Sequence, residues 1–344
     1  MRIVFFGTPQ FAVPSLERLF AQSDFEVLAV VTQPDKRRGR GGKVTPSAVK
    51  AAALGQNCPI WQPTRIKKDT ETLAKLDALR ADAFVVIAYG QILSPEILDM
   101  PRLGCINAHG SILPTYRGAA PIQWCIRSGA TTTGVTTMLM DAGMDTGPML
   151  LKKTIPIGLS DNAWSVAEKL SLLSADLLAT TLQKLQQQVI RPVAQNDEQA
   201  TYAPLIQKED YGLDWHQTAK AIHDKVRGFY PSCTTQFRGR DLKMIETVPL
   251  GSQYWAQLPA SLAAIEQSHQ AAEITQNAAP GTIISLLKNH GPVVQTGDGH
   301  LLLREVKPAG KRALSGWDFA NGSRLEIGER LDIEHETVEG KAST

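Results

Sequence analysis

"RIVFFGTPQFAVPSLERLF", residues 2–20, reads as strand, tight turn and helix. An apolar run over 2–6 ends at Gly7. Pro14 suits a first helical turn, and Val13, Leu16, Leu19 and Phe20 then recur at helical spacing. The alternation continues outward. "FEVLAVVTQ" (25–33), "ADAFVVIAYG" (81–90), "GCINAHG" (104–110) and "GVTTMLM" (134–140) read as further buried strands. A helical stretch near 70–80 and "GAAPIQWCIRSG" (118–129), a helix closed by Gly129, lie between them. Continuously apolar strands separated by helices make βαβ units, so the first domain is expected to be α/β: an open, mostly parallel Rossmann-like sheet. A helix over 163–188 closes it.

The texture then changes. Residues 189–207 are polar and Pro-containing and read as a linker. "LDWHQTAKAIHDKVRGF" (213–229) reads as one amphipathic helix with Trp215, Ala219, Ile222 and Val226 on one face. Short strands with turn signals follow in "TTQFRGRDLKMIE" (234–246) and "GTIISLLKNHGPVVQTGDGHLLLREV" (281–306), the pattern of a small β-barrel or sandwich. The expected organisation is a catalytic domain over 1–188, a linker over 189–207 and a barrel domain over 208–335. The Ala- and Gln-rich stretch 251–279 reads as a surface insertion, and the final residues as a frayed tail.

Bulk properties narrow the class. A chain of 344 residues with 43% hydrophobic and 20% charged residues is an ordinary soluble protein of two domains. Its net charge of +2 leaves any nucleic-acid binding to local patches. The four cysteines form no C-x-x-C pair, and the seven histidines show no metal-site spacing, so a metal-free, reduced protein is expected. The N-terminus enters a strand directly, with no signal-peptide pattern, and no apolar run approaches the ~20 residues of a membrane span. A cytoplasmic protein is expected.

The chemistry starts at Asn107 and His109. Two apart on a strand, they share a face while Ala108 takes the other. The strand ends at Gly110, at the carboxyl edge where open α/β sheets bind ligands. "DAGMDTG" (141–147) follows another strand. If the two strands are neighbours and open on one edge, Asp141 and Asp145 approach His109. An amide donor, an imidazole and a carboxylate around one crevice suit acyl transfer. The amide donates to a developing oxyanion, and the carboxylate accepts a proton and raises the histidine's pKa by its charge. No serine or cysteine is paired with the histidine, so the substrate is expected to supply the nucleophile. Alone, Asn-x-His reads as a turn cap beside a structural histidine; the aspartate loop balances the two readings. "SILPTYRGAAP" (111–121) offers a Pro turn, Arg117 and small residues that let backbone approach a flat ligand.

"QPDKRRGRGGKVTPS" (33–47) has five basic residues among the eight from Lys36 to Lys43. A flexible Gly-rich basic loop is suited to phosphates and can order on RNA; a solvated charge run is the alternative. No Walker A motif occurs, and the first βα turn, "FFGTPQF", lacks G-x-G-x-x-G, which disfavours a dinucleotide dehydrogenase.

"GCINAHGSILPTYRGAAPIQW" together with "GVTTMLMDAGMDTGPML" resembles the core of the folate-dependent formyltransferases. "IVFFGTPQFAVPSL", "VTQPDKRRGRGGKVTPSAVK", "VVIAYGQIL" and "VKPAGKRALSGWDF" extend the resemblance along nearly the whole chain, toward family members that act on tRNA. The resemblance implies 10-formyltetrahydrofolate as co-substrate, no metal, and transfer of its formyl group to the α-amine of methionine on initiator methionyl-tRNA, for translation initiation. It implies Asn107, His109 and Asp145 as the catalytic set. Ser111, Ile112, Leu113, Pro114, Tyr89, Gly90, Ile92, Leu93 and Asp141 would line the folate site. Lys36, Arg37, Arg38, Arg40 and Lys43 would reach the acceptor stem, and the second domain would be an OB-like barrel gripping the tRNA, with Lys208 and basic residues near 225–240 on its surface. A monomer is expected. Two departures stand out: "FYPSCTT" (229–235) lacks the tryptophan of the family's usual turn, and 251–279 is longer than usual. Relatives that formylate glycinamide ribonucleotide or sugar nucleotides, or hydrolyse formyl-folate, share the catalytic set; a noncatalytic RNA-binding protein on the same scaffold would have lost it.

Overall fold

Seven strands of the first sheet run, in chain order, as β1 (Arg2–Gly7) and β2 (Glu26–Val31), then, after the small hairpin β3 (Lys36–Arg38) and β4 (Lys43–Thr45), as β5 (Ile60–Trp61), β6 (Ala83–Ile87), β7 (Cys105–His109), β8 (Thr132–Leu139) and β9 (Met149–Pro156). The computed structural model describes residues 1–38 and 43–332, without the side chains of Arg37, Arg38 and Lys43. Its contacts separate two units. The first comprises Met1–Pro121, Thr132–Pro156 and Ser165–Pro204; the second comprises Ile122–Thr131, Ile157–Trp164 and the chain from Leu205 on.

The first unit's sheet has the order β5-β2-β1-β6-β7-β8-β9. β1 is buried on both faces from Ile3 to Gly7 and pairs in parallel with β2 and β6, as its unbroken apolar run requires. Helix α1 (Val13–Ala21) carries Pro14 in its first turn and buries Val13, Leu16 and Leu19. The sheet is parallel as far as β7. There the direction changes, within the mostly parallel sheet expected: β8 runs antiparallel to β7, with Asn107 opposite Met138 and His109 opposite Thr136. β9, which has no clear signature because its Lys152–Thr154 stretch is exposed, adds a second antiparallel strand. Lys36–Arg38 and Lys43–Thr45 pair as an antiparallel hairpin, and residues 39–42 of the flexible loop read from the sequence over 36–43 lie outside the described residues. Asp35, at its base, accepts from Lys50 Nζ and Gln62 Nε2 at 2.7 Å each, and the hydrogen bond from Lys50 holds its carboxyl below the usual range.

In the second unit, one helix spans Ala219–Gly228 rather than 213–229. Short polar side chains make it start late. Thr218 Oγ1 accepts from Ala221 N as an N-cap, and Asp214 takes the His216 backbone N–H in a turn of its own. Trp215 still reaches the core expected for it, fully buried with Nε1 on Thr235 Oγ1 at 3.0 Å. Seven antiparallel strands curl into a barrel: β10 (Thr234–Phe237), β11 (Arg240–Leu250), β12 (Ile283–Leu287), β13 (Gly291–Gln295), β14 (His300–Pro308), β15 (Leu314–Ser315) and β16 (Leu331–Asp332). Backbone bonds Ile283 N to Glu329 O and Leu331 N to Gly281 O, both 2.8 Å, tie the two end strands together.

This barrel is dry on both sides of part of its wall. Ile283, Val294, Leu301 and Leu303 face the interior core, while Ile284, Val293 and Leu302 belong to a second apolar cluster with Leu262 and Ile265. Those last two come from the 251–279 insertion, whose short helices Ser252–Trp255 and Ala264–Gln270 lie over the wall. The run "HLLLREV" is therefore apolar without alternation because both faces of β14 are covered.

Candidate active site

Strand geometry puts Asn107 and His109 on one face of β7, with Met138 and Thr136 of β8 beside them as cross-strand partners. The aspartate loop reaches them by an unexpected route. β8 ends opposite Ile106, toward the start of β7, so the two strands do not open on a shared edge. Instead the loop 140–148 doubles back, beginning at a Met140 N to Cys105 O bond and ending where β9 starts. Asp145, in left-handed backbone at φ +56°, brings Oδ2 to 3.5 Å from His109 Nδ1 and Oδ1 to 3.5 Å from Asn107 Nδ2. The site is shielded: side-chain exposure is 6% for His109 and 17% for Asp145.

Each group is oriented from behind. His109 Nε2 donates to Tyr116 O at 2.9 Å, which places a proton on that nitrogen and turns Nδ1 toward the aspartate. Gly118 N donates to Asp145 Oδ2 at 2.9 Å. Gln195 Nε2 donates to the carbonyls of Asp145 and Gly147 at 2.7 and 2.8 Å. Asp141 does not join His109. Its Oδ1 accepts from Gly143 N and Thr146 Oγ1, at 3.0 and 2.7 Å, and so shapes the loop from within.

A cleft of about 260 Å³ adjoins the set, lined by Gln91, Ile92, Leu93, Leu98, Met138, Met140 and the loop from Asp141 to Asp145. Its rim is apolar and wet: Ile92 is 79% and Met144 68% exposed. Such a rim with polarizable methionine sulfurs fits a flat heterocycle. Of the expected folate residues, Ile92, Leu93 and Asp141 line this cleft. Tyr89 points into the core beside Phe6, and burial pushes its phenol well above the usual range. Its carbonyl and that of Gly90 accept from the Gln33 amide, fixing the turn that leads to Ile92. Residues 111–114 form a turn bonded inward. Ser111 Oγ donates to Thr115 O, Leu113 N donates to Thr136 Oγ1, and Lys152 Nζ donates to Leu113 O. Sequence reasoning missed Met138 and Met140, whose i, i+2 spacing on a strand ending at the aspartate loop is the available signal. It also passed over Gln195.

Lys36 and Lys208 are exposed. Arg37, Arg38 and Lys43 lie on the hairpin backbone, and Arg40 falls outside the described residues. Among the described residues no three His, Cys, Asp or Glu side chains form a metal-holding group, and no helix is long and apolar enough to cross a membrane.

The chain matches the formyl transferase family over residues 1–182 and the formyl transferase C-terminal domain over 205–324. It is 60% identical over 333 residues to a Cyanothece methionyl-tRNA formyltransferase, covering 97% of this chain and all of that one. It is 61% identical over 332 residues to the methionyl-tRNA formyltransferase of Trichormus variabilis, covering 96% and 99%. Among solved structures it resembles WlaRD, a sugar 3N-formyl transferase crystallised with dTDP and 5-N-formyl-THF, at TM-score 0.61 and 19% identity over 91% of this chain and 99% of that one. HypX from Aquifex aeolicus in complex with tetrahydrofolic acid matches at TM-score 0.58 and 14% identity, over 96% of this chain and 48% of that one. At these identities the two structures speak for the fold.

Proposed function

We propose, for a chain that belongs to the formyl transferase family in its methionyl-tRNA formyltransferase branch, that Asn107, His109 and Asp145 carry the chemistry. The enzyme moves a formyl group from 10-formyltetrahydrofolate to the α-amine of methionine on initiator methionyl-tRNA. The observation that supports this division of labour is the meeting of an amide, an imidazole and a carboxylate at 3.5 Å, beside an apolar cleft.

10-Formyltetrahydrofolate supplies an activated formyl carbon and leaves as tetrahydrofolate. The chain's residues do the rest. Ile92, Leu93, Met138, Met140 and Met144 hold the heterocycle by apolar contact. Asn107 Nδ2 donates to the formyl oxygen as the amine adds and charge builds there. The His109–Asp145 pair takes the proton the amine sheds and returns one to the departing nitrogen, with Nδ1 and Oδ2 as the passing atoms. Shielding of His109 and Asp145 strengthens these interactions.

The tRNA is gripped by Lys36 on the β3–β4 hairpin, by Arg40, and by the barrel with Lys208. We assign catalysis to residues 1–188 and the tRNA surface to 208–335, in a monomer that works in the cytoplasm. The test is to incubate the protein with 10-formyltetrahydrofolate and methionyl initiator tRNA, with glycinamide ribonucleotide and water-only controls. Formyl-methionyl-tRNA is the expected product. Deformylated folate with unmodified tRNA would overturn the tRNA assignment, and untouched folate in every tube would overturn the catalytic one.

A further inference from the structure

Asp145 is held from one side by a residue remote in sequence. Gln195 spends both protons of its amide on the aspartate loop, at Asp145 O and Gly147 O. Its Oε1 accepts from Arg117 Nε at 3.0 Å. Arg117 is 2% exposed, and its Nη2 reaches Asp197 Oδ1 at 2.7 Å. The strand-like stretch around Gln195 is itself anchored. Met149 and Val193 exchange backbone bonds at 2.8 Å in both directions. Arg117 N donates to Thr201 O, Ala203 N donates to Arg117 O, and Tyr116 N donates to Thr201 Oγ1. Residues 193–203 thus grip both partners of the catalytic pair: Tyr116–Gly118, which orients His109 and Asp145, and the loop that carries Asp145.

We propose that Gln195, steered by buried Arg117, is a positioning residue for Asp145, a step that rests on the catalytic reading of Asp145 above. Asp145 has a left-handed backbone, which aspartate reaches more readily than most residues and which still has to be held in one place. The Gln195 amide holds it by pinning the carbonyls of Asp145 and Gly147, on both sides of Thr146. An amide is required. A carboxylate at 195 would keep the acceptor for Arg117 and lose both donors, setting oxygen against two carbonyl oxygens.

The test compares Gln195→Ala, Gln195→Glu, Gln195→Asn and Asp145→Asn in steady-state kinetics with thermal unfolding in parallel. Measured at a temperature where every variant is folded, Gln195→Ala and Gln195→Glu are expected to lower kcat about 10–100-fold with KM for both substrates within about threefold, and to lower the unfolding midpoint to different extents, because only Gln195→Ala leaves Arg117 Nε without its acceptor. Gln195→Asn, one methylene short, should fall between them and the wild type. Wild-type kcat in Gln195→Glu would overturn the proposal, as would losses that track the unfolding midpoint across the three variants. Asp145→Asn separates the two readings. Near-normal turnover there overturns the catalytic role of Asp145 itself, whereas a dead Asp145→Asn beside normal Gln195 variants overturns only the positioning role.

Discussion

Gly118 sits against Ala203 so closely that a Cβ added to it would lie 2.7 Å from the Ala203 carbonyl oxygen. Its φ of +120° is also closed to L side chains. The same residue's N–H donates to Asp145 Oδ2, so a steric requirement of the backbone and the orientation of the Asp145 carboxylate meet at one residue. Gly118→Ala is expected to cost about 2 kcal/mol or more in chemical denaturation and to lower kcat at temperatures where the variant is still folded. Unchanged stability would mean that 116–118 and 201–203 are not packed as described.

Ile92 offers most of its side chain to solvent at the cleft rim. If the heterocycle covers it, Ile92→Ala forfeits about 1–2 kcal/mol of apolar burial, and KM for the folate should rise roughly 5–30-fold. Steady-state kinetics at saturating tRNA reads this directly, with kcat expected to change far less.

Lys36 is exposed on the hairpin, where no tight ion pair competes for it among the described contacts. Lys36→Ala should weaken tRNA binding and reduce the slope of log K against log salt by about 1. Folate binding should stay as it was. A loss of folate affinity would contradict the assignment.

His223 carries a pH signature for the barrel unit. Its Nδ1 and Nε2 are taken by Thr247 Oγ1 and Leu159 O, and burial, with Arg227 nearby, pushes its pKa down to about 4. An unfolded histidine binds a proton near pH 6.5. Between about 6.5 and 4 the unfolded chain therefore holds more protons than the folded one, and stability falls as pH drops through that window. The contribution is about 3 kcal/mol at the acid end, and none of it is lost above pH 7. Unfolding midpoints across pH 4–7 should slope less steeply for His223→Gln than for the wild type.

The sequence carries the first sheet clearly up to β7, because strands buried on both faces leave an unbroken apolar run. It also carries Asn107 and His109, since period-two spacing needs no tertiary knowledge. Strand direction is different. "GVTTMLM" is equally apolar whether it runs with β7 or against it, and only the connections decide. Residue type and loop position offer Asp141 and Asp145 alike; only the family resemblance singles out Asp145, and the path that brings it to His109 is not legible in the sequence. Gln195 was invisible for a related reason: a polar residue in a Pro-containing stretch has no periodicity to betray that its amide faces inward. The helix at 219–228 was overextended because Trp215 keeps a helix-like spacing although Asp214 and Thr218 bend the backbone otherwise.

The barrel wall that is apolar on both sides has a cost that appears only when its cover is removed. Ile284, Val293 and Leu302 meet Leu262 and Ile265 from the 251–279 stretch, not water. A chain shortened across that stretch would keep its strands and its interior core, yet bare a greasy strip running over three neighbouring strands. Such a strip has one ready remedy, the same strip on another molecule. Self-association, rather than unfolding, is the characteristic failure of a trimmed barrel: soluble aggregates in light scattering, with secondary structure preserved. What looks from its composition like an ornamental insertion thus covers an apolar strip that would otherwise lie bare.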